Sequence, residues 1–469
     1  MFEQIANFGD SVALVDERKT EVTYSELYCE SVRLAEKLSA NSVVIIGAKN
    51  TKESIVVYIA CLIANSAPLL LSSSIEPAKL ERYIVEFEPE SIFGFEQSEI
   101  SVSQGFQKIE FRSGIVALVR RENRILERHF AALLLTTSGS TGNPQVVRIS
   151  KQNLVSNTEA IIQSIGIEQS SVAITTLPMF YTYGLSIINT HLLAGAKIVL
   201  NDCSVGSREF WSKLVEEDVT TFGGVPLTYE IINRFDSQVL KGTRVKSITQ
   251  AGGGMKTDQI RKLIEIADGN KASLWLMYGQ TEATARMSVF NQTQDRHHIG
   301  SIGKPICGGR FEILATTGQV ITESNVEGEL IYYGPNVSLG YGSSRKDLFQ
   351  GDVNTGRLAT GDLAYFDSDG LFYITGRKSR FTKLAGKRLN LDDIENWIMR
   401  LGPDVACVEE FQKLVVFHSG KIEIRSLKAR IVSEFGINSQ QVQFKYIEVI
   451  PRNSSGKIQY GKLVEMLQQ

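Results

Sequence analysis

SVVIIGAKNTKESIVVYIACLIANSAPLLLS, residues 42–72, is the stretch whose reading decides the fold. SVVIIGAKN (42–50) is a short β-branched run and reads as a buried strand. Thr51 to Ala64 reads as a helix, and APLLLS (67–72) as the next strand. Strand, helix, strand is a βαβ unit, which implies parallel pairing through a right-handed crossover. The same stretch holds the strongest apolar run of the chain. Asn65, Ser66 and Pro68 interrupt it, and it falls short of the roughly 18 unbroken apolar residues that a membrane span needs. It is a core segment, and no membrane span is expected.

The pattern recurs. SVAITTLP (171–178) precedes a helix through Leu192 and then AKIVL (196–200); RVKSITQ (244–250) precedes a helix from Thr257 and then SLWLMYG (273–279). The expected fold class is α/β, with a large N-terminal region of doubly wound sheets, whose ligands sit at the carboxyl ends of strands. The glycine-rich stretches at 139–142, 252–254 and 279 all follow predicted strands. Beyond Gly328 the character turns β-rich: GELIYYG and LAYFDSDGLFYITG read as antiparallel strands, the latter pair joined by an Asp367–Gly370 turn. After Arg377 come a helix (391–401), a strand run CVEEFQKLVVF, a helix (426–435) and a closing strand, enough for a small α+β domain. The basic segment GRKSRFTK (376–383) is read as a hinge, giving domains 1–376 and 377–469.

Bulk properties exclude more than they assert. The chain has 469 residues, 43% apolar and 22% charged, with a formal net charge of -2, so no long-range charge argues for nucleic acid or a membrane surface. Its five cysteines are scattered without metal-type spacing, His297 and His298 are adjacent rather than one helical turn apart, and no apolar leader is visible. A reduced, cytoplasmic setting is expected.

Chemistry is concentrated in LLLTTSGSTGNPQVVRIS (133–150), an apolar run that gives way to small hydroxyl residues and glycines. Hydroxyls and glycine amides can donate to phosphate oxygens; a polar turn after a strand is the alternative reading. The stretch does not fit the Walker pattern G-x-x-x-x-G-K-[ST]. Seven further motifs follow in order: LPMFYTYGL (177–185), QAGGG (250–254), YGQTE (278–282), ATGD (359–362), GRKSR (376–380), KLAGKRL (383–389) and PRNSSGKI (451–458). This series resembles the AMP-forming adenylate enzymes: acyl-CoA synthetases, peptide-synthetase adenylation domains and luciferases. The resemblance runs from VTYSEL (22–27) almost to the C-terminus, and YGQTEATARMS resembles a bacterial acyl-ligase branch associated with polysaccharide biosynthesis.

The resemblance implies a two-step reaction. A carboxylate is a poor acyl donor, so it attacks the α-phosphate of ATP, pyrophosphate leaves, and a thiol then displaces AMP from the acyl-adenylate. Both steps spread negative charge over phosphate oxygens, which calls for amide donors, Mg²⁺ and a lysine. By resemblance, Thr137, Ser138, Gly139, Ser140, Thr141 and Gly142 would cover the β- and γ-phosphates. Gly252, Gly253 and Gly254 would pass along the adenine and Tyr278 would stack on it. Thr281 would meet the α-phosphate, Glu282 would help hold Mg²⁺, and Asp362, supported by Arg377, would accept from the ribose hydroxyls. Lys457 would bridge the substrate carboxylate and the phosphate; Ser379 stands at the hinge position, and the small domain would be mobile, with Gly386 passing a pantetheine arm in the thiol step. Family members typically have Lys-Gly where this chain has Gln145 and Val146, and Lys457 with Mg²⁺ is expected to supply the missing charge.

For the acid, peptide-synthetase domains place an aspartate where this chain has Tyr181, so a plain or hydroxylated acid fits better than an amino acid. Tyr181, Tyr183, Gly279, Gln280 and the 283–287 stretch are the pocket candidates. The acceptor is expected to be CoA or the phosphopantetheine of a separate acyl carrier protein, the residues after the lysine motif being too few for a carrier of about 80 residues. A non-catalytic nucleotide-binding relative, and adenylation with transfer to a non-thiol acceptor, are the competing readings.

Overall fold

The computed structural model describes residues 2–95, 105–111, 114–121, 130–136, 145–235, 238–384, 387–453 and 456–467. Thr137–Gly142 and Gly386 therefore lie outside the described residues. The chain divides into two compact units: Met1–Thr137, Asn143–Phe311 and Tyr332–Leu358 belong to the first, and Glu312–Ile331 with Ala359–Gln469 to the second.

In the first unit the predicted βαβ element forms as read. Val43–Ala48 and Ala67–Ser72 run parallel, with Ile46 opposite Leu70, and the helix Lys52–Ile63 connects them. Thr51 caps that helix, its side chain accepting from the Ser54 amide. These two strands are central in an eight-stranded sheet that runs from Tyr341–Gly342 through Val146–Ile149 and Leu133–Thr136 to Phe106–Glu110. A nine-stranded sheet carries the other units of the same kind: Thr221–Gly224, Ser247–Gln250 and Ser273–Tyr278 lie side by side and parallel, with Phe222, Ile248 and Leu274 in register. Helix Lys52–Ile63 is buried on every side from Ser54 to Cys61 because its core holds residues of both sheets, Val44 and Ile46 from one and Leu14 and Ile198 from the other. That double cover explains a helix apolar all round. No helix among the described residues is long and apolar enough to cross a membrane.

Arg148 stitches this unit internally. Its guanidinium is fully buried and donates to the carbonyls of Tyr341 (3.0 Å), Gln350 (2.6 Å), Leu339 (2.8 Å) and Gly351 (3.3 Å). The strand Val146–Ile149 is thereby fixed to the segment that carries Tyr341. Val146, standing where a glycine was expected by resemblance, is buried among core residues such as Leu134 and Leu348.

In the second unit, the 362–366 end of the strand Arg357–Phe366 pairs antiparallel with Phe372–Arg377 through the predicted Asp367–Gly370 turn, in which the Gly370 amide donates to the Asp367 carbonyl. The last part contains the hairpin Phe381–Leu384/Lys387–Asn390, the helices Leu391–Met399 and Ile424–Phe435, and a three-stranded sheet. One reading is corrected here. CVEEFQKLVVF is not one strand run but the adjoining parts of two, Asp404–Glu410 and Lys413–Ser419, reversed at Phe411 and Gln412 with φ of 46° and 61°. Positive φ at both central residues is a demand usually met by Asn-Gly, so Phe-Gln gave no turn signal. Arg380, inside the basic segment read as a hinge, is buried, donating to Asp392 (2.6 Å), Glu395 and the Cys407 carbonyl. It anchors the fold of its own unit rather than facing solvent.

Candidate active site

The carboxyl ends of the parallel strands in the first unit gather the glycine-rich and Tyr-Gly-Gln-Thr-Glu motifs. Gly252 follows Ser247–Gln250 with φ of +88°, and a Cβ there would lie 2.6 Å from the Tyr181 hydroxyl oxygen. Only glycine fits, and its absence of a side chain lets Tyr181 reach the loop. The Gln250 side chain donates to the Gly253 carbonyl at 2.8 Å, fixing the loop backbone, while Gly254 has open space where a side chain would be. An exposed backbone edge of this kind fits a flat ligand such as adenine.

Tyr278 ends the neighbouring strand, partly buried, its ring centroid 6.4 Å from that of Phe311. At Gly279 an added Cβ would fall 1.8 Å from the Ala285 carbonyl oxygen, so the chain folds back on itself there. Thr281–Ala283 then make a single 3-10 turn, and Thr284 takes a φ of +65°. The strained turn is held from outside. Asn336 donates to the Ala283 and Arg286 carbonyls, both at 2.9 Å, the Ser338 amide donates to the Glu282 carbonyl (2.8 Å), and the Thr182 hydroxyl donates to the Thr284 carbonyl.

Glu282 is the carboxylate of this turn. The Tyr341 hydroxyl donates to its Oε1 at 2.5 Å. Burial and the neighbouring Glu282 charge push the Tyr341 pKa up, so the hydroxyl stays a donor. Oε2 has no hydrogen-bond partner among the described residues, and a hard carboxylate oxygen held in this way suits Mg²⁺. Tyr341 was missed in the sequence because nothing in SLGYGSS marks it as a partner of a residue 59 positions earlier.

The pocket candidates separate. Tyr181 is partly buried beside Gly252. Tyr183 is 1% exposed, and its hydroxyl donates to the Thr249 carbonyl at 2.7 Å. Gln280 lies 3.5 Å from the Tyr278 hydroxyl through its amide nitrogen. Gln145 is partly buried, immediately before Val146–Ile149.

The remaining candidates are in the second unit. Asp362 is 3% exposed and faces Arg377 across the strand pair, with Arg377 Nε donating to Oδ1 at 3.0 Å. Ser379 is exposed in a short turn, Lys378–Arg380. Lys457 is exposed in a turn closed by its amide donating to Asn453 Oδ1 (2.9 Å) and by the Asn453 amide donating to its carbonyl (2.9 Å).

Known proteins resemble this chain in sequence and in fold. The chain is 27% identical to the sulfoacetate–CoA ligase of Cupriavidus necator over 345 residues, 71% of this chain and 66% of that protein. It is 24% identical to the oxalate–CoA ligase of Arabidopsis thaliana over 500 aligned positions, 98% of this chain and 96% of that one. Its fold matches the O-succinylbenzoate coenzyme A synthetase of Bacillus subtilis, solved in complex with ATP and magnesium ion, at a TM-score of 0.78 and 21% identity, covering 99% of this chain and 98% of that one. With the family model for AMP-binding enzymes matching residues 1–342, the chain belongs to the AMP-binding enzyme family.

Proposed function

We infer that this chain is an AMP-forming ligase that activates a carboxylic acid with ATP to an acyl-adenylate, releases pyrophosphate, and transfers the acyl group to the thiol of coenzyme A. The observation that carries the reading is the strand-end cluster, in which Gly252–Gly254 and Tyr278–Glu282 follow neighbouring parallel strands in a chain of this family. Gly252–Gly254 and Tyr278 bind the adenine, Thr281 donates to the α-phosphate, and Asp362, oriented by Arg377, accepts from the ribose. Thr137–Gly142 cover the departing phosphates, and Lys457 places positive charge between the attacking carboxylate and the α-phosphate. Glu282 would hold Mg²⁺, which would supply positive charge to the phosphate oxygens. We keep 1–376 as the nucleotide- and acid-binding part and 377–469 as the part that delivers Lys457 and, about Ser379, presents Gly386 to the thiol.

The acids named for the two relatives, sulfoacetate and oxalate, each carry a second acidic group, and short acids of that class head the substrate panel. A carrier-bound phosphopantetheine presents the same thiol as CoA and is the finer alternative for the acceptor. Five free cysteines suit a reducing compartment such as the cytoplasm. The test is pyrophosphate release from ATP and Mg²⁺ across short diacids, hydroxy, aryl, fatty and amino acids, followed by thioester analysis with CoA and with a holo carrier protein. Acid-dependent release with thioester formation is expected; ATP binding without release on any acid would make the chain a nucleotide-binding relative instead.

A further inference from the structure

Beneath the strand ends of the first unit lies a cavity of about 20 Å³ whose lining includes Arg286, Tyr183, Ser186, His191, Met277 and Ile187. Arg286 is 3% exposed. Its guanidinium stacks on the Tyr183 ring, 4.0 Å from the centroid, while Nε donates to Met277 Sδ (3.3 Å) and Nη2 to Ser186 Oγ (3.4 Å). Among the described residues no carboxylate lies within ion-pair distance of it, and Nη1 has no acceptor. Stacking engages only the face of a guanidinium, its in-plane N–H groups here meet a thioether and a hydroxyl at most, and a buried cation without a counter-ion is costly. Burial accordingly pushes the Arg286 pKa down.

The backbone of Arg286 is held on both sides. Its amide donates to Asn157 Oδ1 (3.2 Å), and Asn157 Nδ2 donates back to its carbonyl (2.8 Å). A cation fixed this firmly, without a counter-ion among the described residues, on the lining of a cavity is preorganised for an anion. Its position relative to the chemistry follows from the strand. Met277, which Arg286 touches, immediately precedes Tyr278, and alternate side chains leave a strand on opposite faces. The adenine-facing residue and the cavity are thus on opposite sides of one strand end. The other titratable groups of the lining add no charge: the His191 Nδ1–H donates to the Ile187 carbonyl (2.9 Å), and burial lowers its pKa to about 4, while burial raises the Tyr183 hydroxyl to about 12.

We propose that Arg286 is the counter-ion for a second anionic group on the acid substrate, which makes the enzyme selective for short acids carrying an acidic group at the end remote from the reacting carboxylate. This rests on the ligase reading above and names its substrate class. Room for about one water admits one oxygen of a terminal acidic group, where it can accept from the guanidinium, and excludes a fatty tail, which would also have to bury itself against an uncompensated cation.

The test compares malonate and succinate with propionate and butyrate in ATP–pyrophosphate exchange, using the wild-type chain, Arg286→Met and Arg286→Lys. A diacid is expected to exceed its matched monoacid by about 100-fold in kcat/KM. Arg286→Met should lose that advantage through KM, and Arg286→Lys should recover part of it. A wild-type preference for the monoacid, or a diacid preference untouched in Arg286→Met, would overturn the proposal while leaving the ligase reading intact. Thermal melts with the same four acids decide the matter if no acid supports exchange. Stabilisation of the wild type by a diacid alone, lost in Arg286→Met, would uphold the anion site without the ligase; no stabilisation, or stabilisation that survives the substitution, would refute it.

Discussion

Arg148 and Arg286 are both buried in the first unit, and they face opposite situations. The Arg148 guanidinium meets four backbone carbonyls, each already positioned by the segment 339–351. Arg286 meets an aromatic face, a thioether and a hydroxyl, none of them charged. A cation that serves the fold is surrounded by acceptors from that fold; a cation that serves a ligand is left short of them. Arg380 follows the first pattern, with Asp392, Glu395 and a carbonyl around it. Degree of saturation therefore separates structural from ligand-facing cations here, where burial alone does not.

The largest expected effect attacks the saturated side. Arg148→Met leaves several buried carbonyls without donors and should cost about 3–5 kcal/mol in denaturant unfolding. A cost under about 1 kcal/mol would mean that those carbonyls find other partners. Lys457, exposed on its turn, is the opposite extreme, a cation with no burial to offset. Lys457→Ala should slow acid-dependent pyrophosphate release by about 100- to 1000-fold, while thioester formation from preformed acyl-adenylate stays near the wild-type rate. Equal loss in both halves would remove Lys457 from its adenylation-specific role.

A third prediction concerns His191 on the lining that holds Arg286. Its folded pKa, lowered to about 4 by burial, lies below the ordinary value of 6.5. The unfolded chain therefore takes up the proton first, and the contribution is present above about pH 6.5 and lost as pH falls toward about 4. About 2–3 kcal/mol of stability should disappear across that window, and His191→Gln should flatten this part of the profile. An unchanged profile in the variant would place the acid sensitivity elsewhere. The smallest effect is at Tyr341→Phe, which removes the donor to Glu282 and should raise the Mg²⁺ concentration for half-maximal pyrophosphate release about 10-fold. No change would show that Glu282 is oriented without Tyr341.

The sequence displayed the βαβ units clearly because parallel strands covered on both faces are continuous apolar runs, as Val43–Ala48 and Ala67–Ser72 show. It concealed the Phe411–Gln412 reversal because neither residue is a usual left-handed turn former, and Phe411 is 87% exposed for its side chain's lack of a core partner. Motif order singled out Gly252, Tyr278, Glu282 and Asp362, whose neighbours in sequence carry the pattern. Arg286 stood inside the 283–287 stretch without being singled out, since being buried without a counter-ion is a property of three-dimensional neighbours. Tyr341 and Arg148 were invisible for the same reason: their partners are remote in sequence. The readings at Thr137–Gly142 and Gly386 fall outside the described residues.

The most direct measurement of the central claim is a matched pair of unfolding curves, Arg148→Met and Arg286→Met, each with and without malonate or succinate. Arg148→Met should lose several kcal/mol yet, where folded, keep its stabilisation by the diacid. Arg286→Met should stay within about 1 kcal/mol of the wild type, or exceed it, and lose that stabilisation. The reverse assignment, with Arg286→Met unfolding the chain and Arg148→Met abolishing the response to diacid, would contradict the account.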